Sequence, residues 1–580
     1  SAGLSFTGNS TLKYGAGNFD DISNGLTVAA TKTGTIDTNG NDVSFANAIG
    51  GTGALIKAGA GTLTLDAPTT LTGAFNVNAG TLALTAFGGL ATPSSITIGT
   101  GAALDTTAAP GFSLATGQTL SGLGTVNVGT AKTLTIATGS TLNATGLSVT
   151  GKLTLAGTYA ATLGAPGTAL APNAAAQTTV SGNVTLGGTL SLTSNGAGAG
   201  AYQIINGSGT TTGNFAAFNL VGIDNALLHQ EVVATAGVTG VNLVRVATTT
   251  GTLPTTVNYG AIRPTAAAFS TTLNFANTTT ADGFSEALTG SVSANGTGFT
   301  TAAAGTTGVV TLGLDSLTAG AKTGSSIVTV SSVGVGTFAN TSLVTGTVAL
   351  SGSVYDYATA TLADATLAFG NVHVGATGVT RNVSVTNTKV TDAAYQDNLS
   401  ATATAVTGLS VNTLSALAAD TSGNLVFTAV TGTAGSLAGA VTFTLNSTNT
   451  VSGLDAKALA TTANVTTTGQ IYSGLSTWNA TTGSWGRFVS GFGTNWGTNQ
   501  GSPGLDAAFA NVDTATFDNT ALTNGATATV SLDGAAPSLK AITFNTTGGG
   551  YTLDAGSGGA LTLASGLGNA AVTAPAGNHT

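Results

Sequence analysis

Short runs in which apolar residues alternate with threonine or serine recur through the first half of the chain. Gly61-Thr62-Leu63-Thr64-Leu65, Gly80-Thr81-Leu82-Ala83-Leu84 and Ser94-Ser95-Ile96-Thr97-Ile98 set the pattern. Lys132-Thr133-Leu134-Thr135-Ile136, Gly151-Lys152-Leu153-Thr154-Leu155 and Gly188-Thr189-Leu190-Ser191-Leu192 repeat it. A period of two predicts a strand with one buried face. The first three runs lie 19 and 14 residues apart, from Leu63 to Leu82 to Ile96. Such spacing suits a β-solenoid, in which one strand per coil stacks in parallel on the next. A coil holding only Leu63 and Leu65 cannot offset its own ordering entropy, so its neighbours must complete the core. Residues 1–247 are predicted to form such a parallel β-solenoid.

Beyond it the chain repeats itself on a longer scale. Val257-Asn258-Tyr259-Gly260-Ala261-Ile262 aligns with Leu367-Ala368-Phe369-Gly370-Asn371-Val372 at an offset of 110 residues. Thr272-Leu273-Asn274-Phe275-Ala276-Asn277-Thr278 aligns with Asn382-Val383-Ser384-Val385-Thr386-Asn387-Thr388 at the same offset, and the stretch from Val348 to Tyr355 pairs with that from Val465 to Tyr472. Two units rich in short strands predict tandem antiparallel β-sandwiches, over 248–356 and 357–473. From 474 the texture changes again. Trp478, Trp485 and Trp496 fall in one window with Phe488 and Phe492, and short strand patterns follow, such as Ala528-Thr529-Val530-Ser531-Leu532. Residues 474–580 are predicted to be a tryptophan-containing cap and the first coils of a second solenoid. The fold class is all-β. Both ends of the chain fall in mid-pattern, so the 580 residues are expected to be part of a longer modular protein or a subunit completed by its neighbour.

Composition narrows the function. Only 6% of the residues are charged, against roughly 25% in ordinary soluble domains. A net charge of -9 with 13 Lys plus Arg leaves no basic footprint for nucleic acid. Glutamate occurs only as Glu231 and Glu286, which argues against helices. A hydrophobic fraction of 42% argues against disorder. Gly, Thr and Asn interrupt every apolar stretch, so no membrane insertion by this segment is expected. The absence of cysteine excludes disulfides and thiolate zinc sites.

The segment from Ile49 to Leu65, Ile49-Gly50-Gly51-Thr52-Gly53-Ala54-Leu55-Ile56-Lys57-Ala58-Gly59-Ala60-Gly61-Thr62-Leu63-Thr64-Leu65, continues to Leu71-Thr72-Gly73 and Gly80-Thr81-Leu82. It resembles the autotransporter-associated β-strand repeat, which runs approximately G-x-G-x-L-x-K-x-G-x-G-T-L-x-L and then Y/L-T-G and G-T-L. That resemblance implies a secreted parallel β-solenoid on a bacterial surface and no catalytic residue. The F/Y-G-x-V/I and V-x-N-T phrases of the internal repeat resemble the Ig-like, choice-of-anchor-type modules of bacterial surface proteins.

Candidate chemistry is sparse. Trp478, Trp485 and Trp496 are the sharpest candidate site: exposed indole faces would stack on the rings of a cell-surface glycan, whereas buried ones would plug the first coil of the second solenoid. His229 stands near Asp224 and Glu231, a pairing suited to acid–base chemistry, but no nucleophile motif surrounds it. No enzyme is expected, and no cofactor. Asp20 with Asp21, and Asp37 with Asn39 and Asp42, lack the spacing of a calcium loop; adventitious Ca²⁺ between modules is the most they would hold. Few Lys and Glu remain to guard strand edges against pairing. The expectation is an extracellular or cell-surface structural protein, secreted, that pairs head to tail with itself as a homopolymer in a fibre, stalk or coat. The alternative is an adhesin that binds glycan or protein on other cells.

Overall fold

A computed structural model describes residues 3–169, 171–174, 177–235, 237–265, 267–451, 453–486, 495–523, 525–566, 568–576 and 579–580. Among the described residues regular structure is β apart from two single-turn 3-10 helices, Ala393–Tyr395 and Ala507–Phe509. Among the described residues no helix is long and apolar enough to cross a membrane. The chain divides into two compact units. One comprises Ser1–Thr255, Thr271–Leu312 and Ser325–Val348; the other comprises Thr256–Ser270, Gly313–Gly324 and Ala349–Thr580.

In the first unit the alternating runs become a parallel solenoid with several sides. One ten-stranded sheet begins at Ser10–Lys13 and Thr33–Asp37 and ends at Ala217–Val221. A second begins at Val43–Phe45 and Thr62–Leu65, and a third, of five strands, joins from Phe112–Leu114 onward. Coils stack in register, so that Val43, Leu63, Leu82, Leu104, Val126, Val149 and Val180 form one column. All seven are almost wholly buried. Each full burial of a Val or Leu is worth about 1.5–3 kcal/mol, and every coil gains it only because two others cover its faces.

The step from Leu63 to Leu82 is one coil, as the spacing predicts. Ile96, however, does not continue that column. It lies between Phe75 and Leu120 on another side, and Leu104 is the residue stacked on Leu82. Successive sides of one coil carry the same alternation, so spacing alone cannot tell a new coil from a new side. The parallel ladder stops at a hairpin, Leu228–Thr235 and Val238–Arg245, which packs antiparallel onto Gly200–Gly207. In the same unit Leu288–Val292 lies between Phe299–Ala302 and residues 328–332, antiparallel to both.

In the second unit, residues 357–472 form two sheets. One holds Ala360–Thr361, Thr380–Asn387, Thr421–Ala429 and Leu409–Val411. The other is built on Ala365–His373, Val465–Tyr472, Gly439–Thr448 and Asn398–Thr404. Val383, Val385, Leu399, Ala401, Leu425 and Phe427 meet in the core between them. The pairing is antiparallel with one departure from the sequence expectation. The first strand, Ala365–His373, runs parallel to the last, Val465–Tyr472. Thr256–Ile262 does the same with the end of Thr341–Val354. Both first strands break register at the repeated aromatic-glycine phrase, where Gly260 and Gly370 take φ of 73° and 71°. A side chain at such a bulge would be strained, which explains the recurring glycine.

The final segment is again a parallel stack. Leu475–Thr477, Thr514–Asp518, Ala541–Asn545 and Ala571–Ala576 form one side. Thr482–Ser484, Thr527–Ser531 and Gly550–Asp554 form another.

Candidate functional site

A parallel first and last strand has a consequence for chemistry. It sets the end of the first strand beside the point where the chain leaves the sheet. Arg263 directly follows Thr256–Ile262, and His373 ends Ala365–His373; the two are 110 residues apart, at matching positions of the internal repeat. Each carries its charge to a buried carboxylate further along the chain.

Arg263 grips Asp397 with both arms, Nη1 to Oδ1 at 2.9 Å and Nη2 to Oδ2 at 2.7 Å. The same guanidinium donates to the carbonyl of Asp455 at 2.8 Å and lies 4.2 Å over the ring of Tyr357. Ser447 Oγ and Asn449 Nδ2 also donate to Asp397, at 2.6 and 2.5 Å. His373 Nε2 meets Asp513 Oδ1 at 2.7 Å, while Gly504 N donates to Asp513 Oδ2 at 2.7 Å. The imidazole stacks on Phe509 with centroids 3.9 Å apart and meets Tyr472 edge-on. Burial disfavours its charged form, but the hydrogen bond and charge of Asp513 outweigh that and hold the His373 pKa above its ordinary value.

The third pair lies in the first unit. His229 Nδ1 sits 2.6 Å from Glu286 Oε1, with both side chains buried. This corrects the pairing with Asp224 and Glu231 read from the sequence. Asp224 instead caps the turn at Ala226 N. Glu286 also accepts from Ser332 Oγ at 2.5 Å and Val335 N at 3.0 Å. Ser332 thus donates to the carboxylate rather than to the imidazole, which is the wrong order for an activated hydroxyl nucleophile.

Glu286 and Asp397 are equivalents. Asn277 Nδ2 donates to the Glu286 carbonyl and Asn387 Nδ2 to that of Asp397, both at 2.9 Å. Ser332 Oγ also accepts from Ala247 N, and Ser447 Oγ from Ala358 N. The backbone repeats as well: Glu286 N donates to Arg245 O, and Asp397 N to Asp356 O. Sequence reasoning aligned Asn277 with Asn387 but left Arg263, Glu286, His373, Asp397 and Asp513 without a role. The signal that points to them is the repeat itself, in which Arg263 and His373 occupy one position.

The tryptophans are buried. Trp478 and Trp485 are 0% exposed and Trp496 4%. They meet edge to face, Trp478 with Trp496 at 86° and Trp485 with Trp496 at 67°, around Phe517. No ring face is open to a sugar, which sets aside the glycan-contact alternative at these residues: the rings lie in the apolar core of the stack. Phe488 and Phe492 lie outside the described residues. Trp485 Nε1 donates to Pro503 O at 3.0 Å. Trp485→Phe is expected to cost about 1–2 kcal/mol through lost volume and an orphaned carbonyl, measured as a lower melting temperature of the final stack. The acidic clusters are also occupied by backbone. Asp37 Oδ1 accepts from Asn39 N, Asp42 Oδ1 from Thr62 N, and Asp21 from Ser23 N and Ala46 N. Among the described residues no group of three or more acidic or histidine side chains is placed to hold a metal ion.

Residues 55–84 match the family model described as the passenger-associated-transport-repeat. These are the coils that carry the repeat-like segment. No curated protein matches the chain. Solved structures with local similarity include a protein of unknown function from Porphyromonas gingivalis W83, with 10% identity over 34% of this chain and 91% of that one, at a TM-score of 0.12. The CFA/I enterotoxigenic E. coli adhesin CfaE gives 12% identity over 50% and 98%, at 0.17. The Yersinia pseudotuberculosis adhesin InvE gives 14% identity over 44% and 63%, at 0.13. At such TM-scores the likeness carries no argument about fold or function.

Within the matched repeat the lysine has a defined task. Lys57, in the strand Ala54–Ala58, is fully buried. Its Nζ lies 2.8 Å from Gly59 O, 2.9 Å from Ala79 O, 3.0 Å from Ala58 O and 3.1 Å from Thr38 Oγ1. Those acceptors belong to three successive coils, so one ammonium clamps them together. Burial lowers its pKa to about 8, with the charges of Asp37 and Asp42 opposing the shift.

Proposed function

We propose that this chain is part of a secreted structural protein of a bacterial surface, with no catalytic centre, whose copies associate head to tail into a fibre, stalk or coat. The observation that carries the reading is the trio of buried pairs, His229–Glu286, Arg263–Asp397 and His373–Asp513. In a protein with so few charges, the buried ones are spent on tying successive segments together rather than on a reaction centre. The passenger-repeat match over 55–84 supports an extracellular or cell-surface location. Ig-like modules of surface proteins would fit the two repeated sandwich segments. Association would use backbone groups of uncharged strands such as Ala217–Val221, which is paired on one side only within its sheet, as in β-augmentation.

Electron microscopy of purified chain at neutral pH is expected to show filaments or sheets that grow with concentration. Dispersed monomers that bind a glycan or protein array would overturn the structural reading and establish the adhesin instead.

A further inference from the structure

His373 is distinguished by what lies at its two ring nitrogens. Nε2 faces a carboxylate oxygen of Asp513, and Nδ1 faces the backbone carbonyl of Val374. Both partners are acceptors without a proton to give. Neutral imidazole has one N–H and one bare nitrogen, so it satisfies one of these contacts and opposes the other. Only imidazolium, with two N–H groups, satisfies both. The remaining surroundings agree. The strand Ala365–His373 carries no other charge, and Val465–Tyr472 brings Tyr472, whose hydroxyl donates to Asp506 Oδ2 at 3.1 Å. The segment from Asp506 to Asp513 brings those two carboxylates, with Phe509 against the ring face. Every charged group facing the imidazole is an anion, and no described cation competes.

We propose that the His373–Asp513 contact is a proton-gated latch between the second sandwich segment and the tryptophan-bearing stack, closed while His373 is protonated and released as the medium turns alkaline. Loss of the proton leaves one ring nitrogen pressed against an acceptor inside a buried contact, an arrangement that costs as an unpaired buried polar group does. The direction follows by linkage. The folded state holds the proton more tightly than the unfolded chain, whose imidazole titrates near pH 6.5. The stabilisation is therefore complete below about pH 6.5 and lost as pH rises through the higher folded value. Arg263–Asp397 provides an internal reference, because guanidinium stays charged throughout.

The chain has three histidines, so ¹⁵N imidazole spectra of the full chain are simple, and His373→Gln identifies the relevant signal by its disappearance. At about pH 7.5, where a free imidazole is mostly neutral, both His373 nitrogens are expected to be protonated. Hydrogen exchange, corrected for its intrinsic pH dependence, then follows the latch itself. Residues 371–376 and 504–514 are expected to lose protection several-fold between about pH 6 and pH 9.5, while 261–265 and 395–399 keep theirs. His373→Gln should abolish that pH response. A neutral His373 tautomer at about pH 7.5, or a joint whose protection tracks the arginine reference, would overturn the proposal. The exchange comparison of the two joints comes from the wild-type chain alone, so it stands even if the variant fails to fold.

Discussion

Replacing Arg263 by alanine is expected to destabilise the second sandwich segment by roughly 3–5 kcal/mol, the penalty for stranding one member of a buried ion pair. Asp397 has a side-chain exposure of 0% against 16% for Arg263. With the guanidinium gone, its carboxylate keeps only Ser447 and Asn449 as side-chain donors. The Asp455 carbonyl loses this donor as well, and the Tyr357 ring keeps Lys457 but loses the guanidinium. Lysine should recover part of the loss, because a point charge cannot bridge both carboxylate oxygens in parallel. Removing both charges, as Arg263→Met with Asp397→Leu, should recover more than either single change predicts, since no buried ion is then left alone. Hydrogen exchange across Asn398–Thr404 and Gly439–Thr448 measures this locally, where a multi-segment chain need not unfold in two states. A loss below about 1 kcal/mol would class the pair with surface salt bridges and remove it as a joint.

The second large effect is at Lys57. Methionine keeps the length and apolar stem but gives no proton to Gly59 O, Ala79 O, Ala58 O or Thr38 Oγ1. Hydrogen bonds to a charged group contribute about 1.5–3 kcal/mol each, and buried carbonyls left unmatched cost about 1–3 kcal/mol. With some acceptors also served by backbone N–H groups, as Ala58 O is by Thr38 N, the net loss is expected at about 3–5 kcal/mol. It should be confined to the coils from Thr33–Asp37 to Thr81–Leu84, because each coil touches only its neighbours. Limited proteolysis would then cut within 33–84 while the rest of the chain resists. Equal protection in the variant would show that the clamp adds nothing to coil stacking.

Much of the architecture was legible in residue order. Alternation in runs such as Thr62-Leu63-Thr64-Leu65 marked the strands and their buried faces, since period two follows from the pleat itself. The 110-residue offset marked a repeated segment, one copy of which, residues 357–472, forms two packed sheets, and the glycine of the aromatic-glycine phrase reports a bulge that only glycine adopts without strain. Coil membership was less legible. Ile96 carries the same local pattern as Leu82 yet sits on a different side, because nothing in a strand's own sequence says which neighbour lies above it.

The candidate site was the least legible part. Its pairs span large separations, from Arg263 to Asp397 and from His373 to Asp513, and each residue by itself is an ordinary polar group between strands. Likewise the three tryptophans left a plug, the preferred reading, and a sugar platform side by side, and local sequence could not show their burial. By itself the sequence determined the all-β class, the stacking repeat, the duplicated segment and the scarcity of charge, all of which follow from local periodicity and composition. Only the tertiary structure decided where the few charges go. Burying a charge is costly unless an opposite charge meets it, and which residues meet depends on a first strand lying parallel to the last, a relation that no local stretch of sequence contains.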